Sequence, residues 1–264
     1  MTPATTSRRD HRRGTLYMVL VVMIWGGFLP AGKSALAMVD PYWLTAMRFG
    51  TAALVFLGLL LVQEGRAALH TEGRLPKIAL FGACGFAGFG LCVFEGLKLT
   101  RPEIGAMILA LGPIQVALFQ WWRTHRRPDN FTLGAIALAL IGELFVITSG
   151  DFARLTGGDA RGNGLVFLAS LFWTAYTLGG QQFPGWSPVR YTALSCSLGW
   201  FAIVAALGVA SAAGHARPPQ MDEMVAVWPQ LAFIIFCVSV FGILFWNLGV
   251  AKLGPLNAGL FGNF

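Results

Sequence analysis

Charged side chains are scarce inside the apolar runs of this sequence, so the few that occur define what chemistry it could perform. "IWGGFLPAGKSAL" (Ile24 to Leu36) carries Lys33 beside Pro30 and three glycines, and "PYWLTAMRFGTAALV" (Pro41 to Val55) carries Arg48. "VFEGLKLTRPEIGA" (Val93 to Ala106) carries Glu95 and Glu103, and "LIGELFV" (Leu140 to Val146) carries Glu143. A helix from Leu16 reaches Lys33 after about 26 Å. Lys33 is therefore either an anchor whose stem carries the ammonium to the interface or the electropositive lip of a cavity. Arg48 lies about 9 Å along its run, with apolar sequence on both sides. An ionisable group at such a depth needs a partner or a ligand: either an ion pair with Glu95, or with Glu103 as second choice, or a clamp on a substrate carboxylate. Glu143, the deepest acid, is either a helix contact or a proton-coupling carboxylate.

The uncharged candidates are aromatic or amide groups. Trp25, Trp173 and Tyr176 lie well inside their runs and could wall a cavity for an apolar or aromatic ligand, or anchor the chain at an interface. Gln115 in "GPIQVAL" and Asn247 in "FWNLG" either bond across a helix interface or meet a ligand. Catalysis finds no foothold: H-E-x-x-H, G-x-S-x-G and the nucleotide-binding G-x-x-x-x-G-K-[ST] are all absent from the sequence. Cys84, Cys92, Cys196 and Cys237 form no C-x-x-C pair, and the four histidines fall in the tail or connections without metal-ligand spacing. Neither a cofactor nor a metal is expected.

The elements that must position these residues are membrane spans. Hydrophobic residues make up 56% of the 264, charged residues 12%, and mean hydropathy is +0.65. A water-soluble surface needs about twice that charge, so most of this surface faces lipid. The net charge of +7 does not point to nucleic acid. Its basic residues cluster before the first run (Arg8, Arg9, Arg12, Arg13) and in one short connection (Arg123, Arg126, Arg127), as the positive-inside rule predicts. Runs of about 20 apolar residues, enough to span, are expected at Leu16–Leu36, Trp43–Val62, Ile78–Leu97, Ile104–Trp122, Phe131–Ser149, Leu165–Phe183, Val189–Ala210 and Trp228–Val250. A ninth run begins at Pro255 and stops at Phe264, too short to cross. With the N-terminus inside, twelve Lys and Arg side chains fall on the cytoplasmic side and five outside. "SRRDHRR" then reads as an uncleaved cytoplasmic tail, because the run after it is too long for a signal peptide.

Two stretches recur in order. Aligning Trp25 with Trp173 puts Phe28 on Tyr176 and Lys33 on Gln181; further on, Gly96 falls on Gly249, Pro102 on Pro255 and Gly105 on Ala258. A duplicated unit of five spans must insert its second copy upside down, the architecture of many secondary carriers. The fold class expected is all-α and polytopic, an inverted 5+5 helix repeat with its second repeat incomplete. Residues 1–14 form the tail, 15–149 the first repeat, 150–163 a connection and 164–264 the second repeat, truncated in its fourth helix.

"WGGFLPAGK", "PYWLTAMRFGTAALV", "GLKLTRPEIGAMILALGPI" and "LGPLNAGLFGNF", in that order, resemble the EamA-type branch of the drug/metabolite transporter superfamily. The resemblance covers nearly the whole chain, departing from the pattern in the missing terminal helices and at Glu103, where a small residue is usual. It implies a bacterial inner-membrane exporter of small metabolites, often amino acids, with a multi-pass chain and a cytoplasmic N-terminus. The reading that combines both lines is an alternating-access carrier of a small amphipathic compound, with a cavity walled by Trp25, Lys33, Arg48, Trp173 and Tyr176. Glu95 offers a route for proton exchange. A channel would show a polar stripe or filter loop; a non-transporting scaffold or inactive fragment is the other reading.

Overall fold

The apolar runs fold as helices because lipid offers a backbone N–H no acceptor outside its own segment. A computed structural model describes residues 8–125, 127–148 and 159–261, and among these there is no strand. The first span is broken in two, α1 (Arg8–Trp25) and α2 (Phe28–Ala35). The second is α3 (Pro41–Glu64). The third comprises α4 (Leu75–Gly82), a π-helical segment (Ala83–Gly88) and α5 (Phe89–Leu99). The fourth is again broken, α6 (Pro102–Leu109) and α7 (Gly112–Thr124), and the fifth is α8 (Asn130–Thr148). The sixth and seventh are α9 (Ala160–Gly179) and α10 (Pro188–Ala212). After the short α11 (Met221–Ala226), the eighth comprises α12 (Trp228–Ala232), a π-helical segment (Phe233–Gly242) and α13 (Ile243–Leu253); α14 (Pro255–Phe261) opens the ninth. Six of these helical stretches are long and apolar enough to cross a membrane. The fifth span's Glu143 side chain and the 150–158 part of the connection lie outside the described residues.

Geometry repeats where sequence repeats. Proline starts α3 and α10 at an offset of 147 residues, and the residue before each caps the helix: Asp40 accepts from the Tyr42 N–H at 2.9 Å, and Ser187 from the Arg190 N–H at 2.9 Å. Proline also starts α6 and α14, at an offset of 153, and that same offset carries the π-helical segment of the third span into that of the eighth. Proline at the first helical position costs no hydrogen bond and presets φ, which is why the boundary recurs.

Small residues let the spans approach closely. α3 packs along α10 at the centre of the bundle, where the Cys196 thiol donates to the Phe49 carbonyl at 3.7 Å, positions related by the 147 offset. The third span crosses α10 where Gly82 meets Gly199: a Cβ on Gly82 would stand 2.2 Å from the Ser195 carbonyl oxygen, and one on Gly199 2.4 Å from that of Gly82. It crosses α9 where Gly96 meets Gly162, each Cβ position falling within 2.9 Å of the other's carbonyl oxygen. The eighth span repeats this against the first, with Gly249 pressed on Met18. Packing of this kind is the main cohesive term between helices in lipid.

Gly82→Ala is therefore expected to force the third and seventh spans apart and cost about 1–3 kcal/mol, whereas Gly58→Ala, which meets nothing within 4 Å, is neutral. Thermal unfolding of both variants in detergent checks this; equal midpoints would show that the crossing is not tight.

Candidate functional site

The two broken spans and the packed halves enclose a cavity of about 480 Å³, within the usual range for small-molecule sites. It runs from Glu103, exposed in the first turn of α6, inward to Thr177 and Trp246. Its walls are mostly apolar. Residues at the breaks, Gly26 in the first span and Ala110, Gly112 and Pro113 in the fourth, form part of the lining.

Three tryptophans make the principal aromatic wall. Trp25, Trp173 and Trp246 all line the cavity, with ring centroids 5.5, 5.3 and 5.9 Å apart pairwise, and Phe89 adds a fourth ring 5.1 Å from Trp173. The Trp25 indole donates to the Val238 carbonyl at 3.3 Å and that of Trp246 to the Thr177 hydroxyl at 3.2 Å. The rings are thus fixed in place rather than free to rotate. Ser170, Trp173, Thr174 and Thr177 share one face of α9, the i, i+3, i+4, i+7 stripe of a helix.

Arg48 lines the cavity and is only 1% exposed. Its guanidinium carbon sits over Phe49 at 4.1 Å, Phe94 at 4.8 Å and Phe28 at 5.1 Å. Its Nε and Nη1 have no hydrogen-bond partner. A desolvated cation–π contact contributes about 2 kcal/mol, while removing an ion from water costs several and each unmet donor about 1–3. The three rings retain the charge without satisfying its N–H groups.

The expected Arg48–Glu95 ion pair does not form. Phe94 points to Arg48, and Glu95, about 100° further round the helix, faces away and stands 3.9 Å from Lys98, one turn on. Among the described residues no carboxylate lies within ion-pair distance of Arg48. Lys33 is not part of the cavity lining either. Its ammonium donates to the carbonyls of Leu97 (2.6 Å), Thr100 (3.0 Å) and Lys98 (3.1 Å), using all three of its hydrogens. These are orphan acceptors at the C-terminal end of α5, where the helix dipole favours a cation.

Tyr176 and Asn247 stand behind the wall. Tyr176 is fully buried; the Asn247 amide donates to its hydroxyl at 2.8 Å and to Thr192 at 2.9 Å, and Tyr191 donates to its carbonyl at 2.6 Å. Gln115 also lies one layer back. Its amide donates to Ser170 at 2.7 Å and its oxygen accepts from Thr174 at 3.0 Å, so it orients two hydroxyls that face the cavity. Of the eight candidate residues, the structure brings Trp25, Arg48 and Trp173 to the lining, places Gln115, Tyr176 and Asn247 behind it, and leaves Lys33 and Glu95 outside. Trp246 and Phe89 escaped the sequence reading because neither interrupts its apolar run. The α9 stripe of hydroxyls beside Trp173 was a readable signal for Ser170, Thr174 and Thr177.

An all-helical polytopic membrane protein with a walled cavity among its spans is the class that fold and site define. The chain belongs to the EamA-like transporter family, whose model matches residues 12–148. It is similar to YrdR, an uncharacterized transporter of Bacillus subtilis, with 31% identity over 95% of this chain and 80% of that one. A second uncharacterized transporter of the same organism, YyaM, is 29% identical over 90% of this chain and 77% of its own. A biotin transporter of Salmonella typhimurium is 25% identical over 93% of this chain and 79% of its own. A protein of known crystal structure matches 96% of this chain and 84% of its own with a TM-score of 0.73; at 18% identity that likeness is one of fold alone.

Lys33→Met removes three charge-assisted bonds, each worth about 1.5–3 kcal/mol, and is expected to lower the unfolding temperature while leaving the KM for transport unchanged. A raised KM at unchanged thermal stability would put Lys33 back in the ligand's path.

Proposed function

We propose that this chain is a secondary carrier that exports a small amphipathic metabolite by alternating access, with the cavity between its halves as the binding site. The observation that carries this reading is that cavity, about 480 Å³ with a fixed aromatic wall and one buried cation, in a member of a transporter family. A scaffold has no use for an unpartnered buried charge, and among the described residues no cluster of His, Cys, Asp or Glu could hold a catalytic metal. Relatives described as biotin transporters support a small organic metabolite as cargo. The placement of basic residues supports an N-terminus in the cytoplasm, and the bacterial relatives favour the plasma membrane. Proton exchange has less to rest on, because Glu95 lies away from the cavity beside Lys98.

In this orientation the cavity reaches the outer face at Glu103, and two ion pairs close the inner face. Arg190, in the first turn of α10, pairs with Glu72, ahead of the third span, at 2.7 Å; it also donates to the Ala68 and His70 carbonyls and lies 4.3 Å over the Trp186 ring. The Trp186 indole donates to Glu72 at 3.0 Å, and Ser187 donates to Glu64. Lys252, at the end of α13, pairs with Asp10 in the first turn of α1 at 2.6 Å. Both pairs join the first half to the second. Their separation accompanies opening to the cytoplasm, and a ligand shifts that balance by its differential affinity for the two states.

The indole hydrogen bond from Trp186, and after it the Arg190 guanidinium, hold the Glu72 carboxyl below its ordinary value. A depressed carboxylate contributes stability that is present above its unfolded pKa, about 4.3, and is lost as pH falls through the folded value. Labelling from the inner face of a cysteine at Thr177, in a chain lacking the four native cysteines and normalised at each pH to the denatured chain because the thiolate is the nucleophile, is thus expected to stay constant from pH 8 to pH 5 and to rise only on further acidification. Arg190→Gln is expected to raise it at every pH; no rise would show that the pair does not hold the inner face shut.

Counterflow of labelled metabolites into proteoliposomes tests the carrier directly. Arg48→Ala is expected to reduce exchange at least tenfold with membrane insertion intact. Equal loss of insertion and exchange would make Arg48 structural.

A further inference from the structure

The two halves diverge sharply around Arg48. At the offsets that relate the repeats, Tyr176 corresponds to Phe28, Asn247 to Phe94 and Thr192 to Thr45. In the second half these residues form a closed polar knot, with Asn247 donating to both hydroxyls. In the first half the knot is absent. Two phenyl rings stand where tyrosine and asparagine stood, the Thr45 hydroxyl has no partner, and Arg48 lies over the rings with Nε and Nη1 unmet. Ser195 occupies the position matching Arg48; it donates to carbonyls of its own helix and stands against the Tyr176 hydroxyl of the knot. The fold can therefore be built at this position without a cation.

We propose that Arg48 is an anion subsite and that the cargo is an organic monoanion, a single carboxylate on a flat, uncharged apolar body. This rests on the carrier reading above and narrows its cargo. The charge on the wall decides the class. Among the described residues that line the cavity only Arg48 and Glu103 are charged, and Glu103 is exposed to solvent at the mouth. A carboxylate at this wall meets a guanidinium whose Nε and Nη1 no carbonyl or hydroxyl has claimed, and charge-assisted bonds between a guanidinium and a carboxylate are the strong ones. An α-amino acid would place its ammonium one carbon from that carboxylate, beside a buried like charge and with no buried anion to receive it. A cationic ligand fares worse. Behind the carboxylate, Trp25, Trp173 and Trp246 offer faces to an apolar ring. The oxygen of Thr174, whose hydrogen goes to Gln115, and the hydroxyl hydrogen of Thr177, whose oxygen accepts from Trp246, remain for a neutral polar group. The subsite thus selects against zwitterions, the cargo that family resemblance alone would favour.

Three ligands with one body and different charge test this: 4-phenylbutyrate, 4-phenylbutanamide and 4-phenylbutylamine, titrated at pH 7.5 against the purified full chain by tryptophan fluorescence and thermal shift. The acid is expected to bind at least tenfold tighter than the amide, and the amine not at all. Arg48→Lys keeps the preference in weaker form, and Arg48→Gln abolishes it. Arg48→Met is expected to raise the unfolding temperature of the empty protein, because it replaces an unsatisfied buried cation by an apolar chain of similar length, while removing the response to the acid. Equal affinity for acid and amide, tighter binding of the amine, a response to none of the three, or a lower unfolding temperature for Arg48→Met each overturns the subsite. Counterflow separates this from the carrier reading. Acid binding as described without exchange sinks the carrier alone; exchange of amide or amine as fast as acid keeps the carrier and sinks the subsite.

Discussion

In hydrocarbon a backbone N–H must find its acceptor within its own segment, and the rest of this architecture follows from where that requirement is relaxed. Most spans satisfy it as plain helices. The first and fourth break, at Gly26–Gly27 and Ala110–Leu111, yet the chain bonds across both breaks: Ala31 N–H donates to Gly27 at 3.1 Å and Gln115 N–H to Leu111 at 3.0 Å. Irregular backbone at this depth is tolerated where it lines a cavity, and both breaks do so. The site and the breaks are one feature described twice.

Much of this was legible in the sequence. Run length and the scarcity of charge marked the helical, membrane-crossing character of the chain, and the matched stretches pointed to a repeat. Pro102 and Pro255, matched in the sequence, each start a helix in the structure. Between Phe81 and Gly90, Gly82, Gly85, Gly88 and Gly90 each meet a neighbouring helix, the close packing that small residues in an apolar run permit. What sequence could not supply was direction around the helix axis. Glu95 follows Phe94 by one residue, and that single step sends the carboxylate to Lys98 and the ring to Arg48. Lys33 misled for the opposite reason. Its depth was estimated correctly as near one end, but its partners are main-chain carbonyls 64 to 67 residues away, and every residue has a carbonyl, so no side-chain pattern could announce them.

Duplication also explains how a site of low symmetry arises from a symmetric frame. Paired crossings, Gly96 on Gly162 and Gly249 on Met18, hold the two halves in equivalent positions. With the frame fixed by those small residues, the large ones can diverge. One half acquired a polar knot that closes on itself, and the other an arginine among phenyl rings. Stability resides in what the halves share, and recognition in what they do not.

The π-helical segments in the third and eighth spans have a consequence for how the chain can be lengthened or shortened. Each residue of an α-helix advances the face by about 100°, whereas a π turn accommodates an additional residue within one wider loop of backbone. The portions of a span on either side of such a segment are consequently phased independently. Loss of one residue between Phe233 and Gly242 would rewind that stretch as ordinary α-helix and rotate everything beyond it, carrying Trp246 off the cavity and Asn247 out of its knot, with not one residue at the site changed.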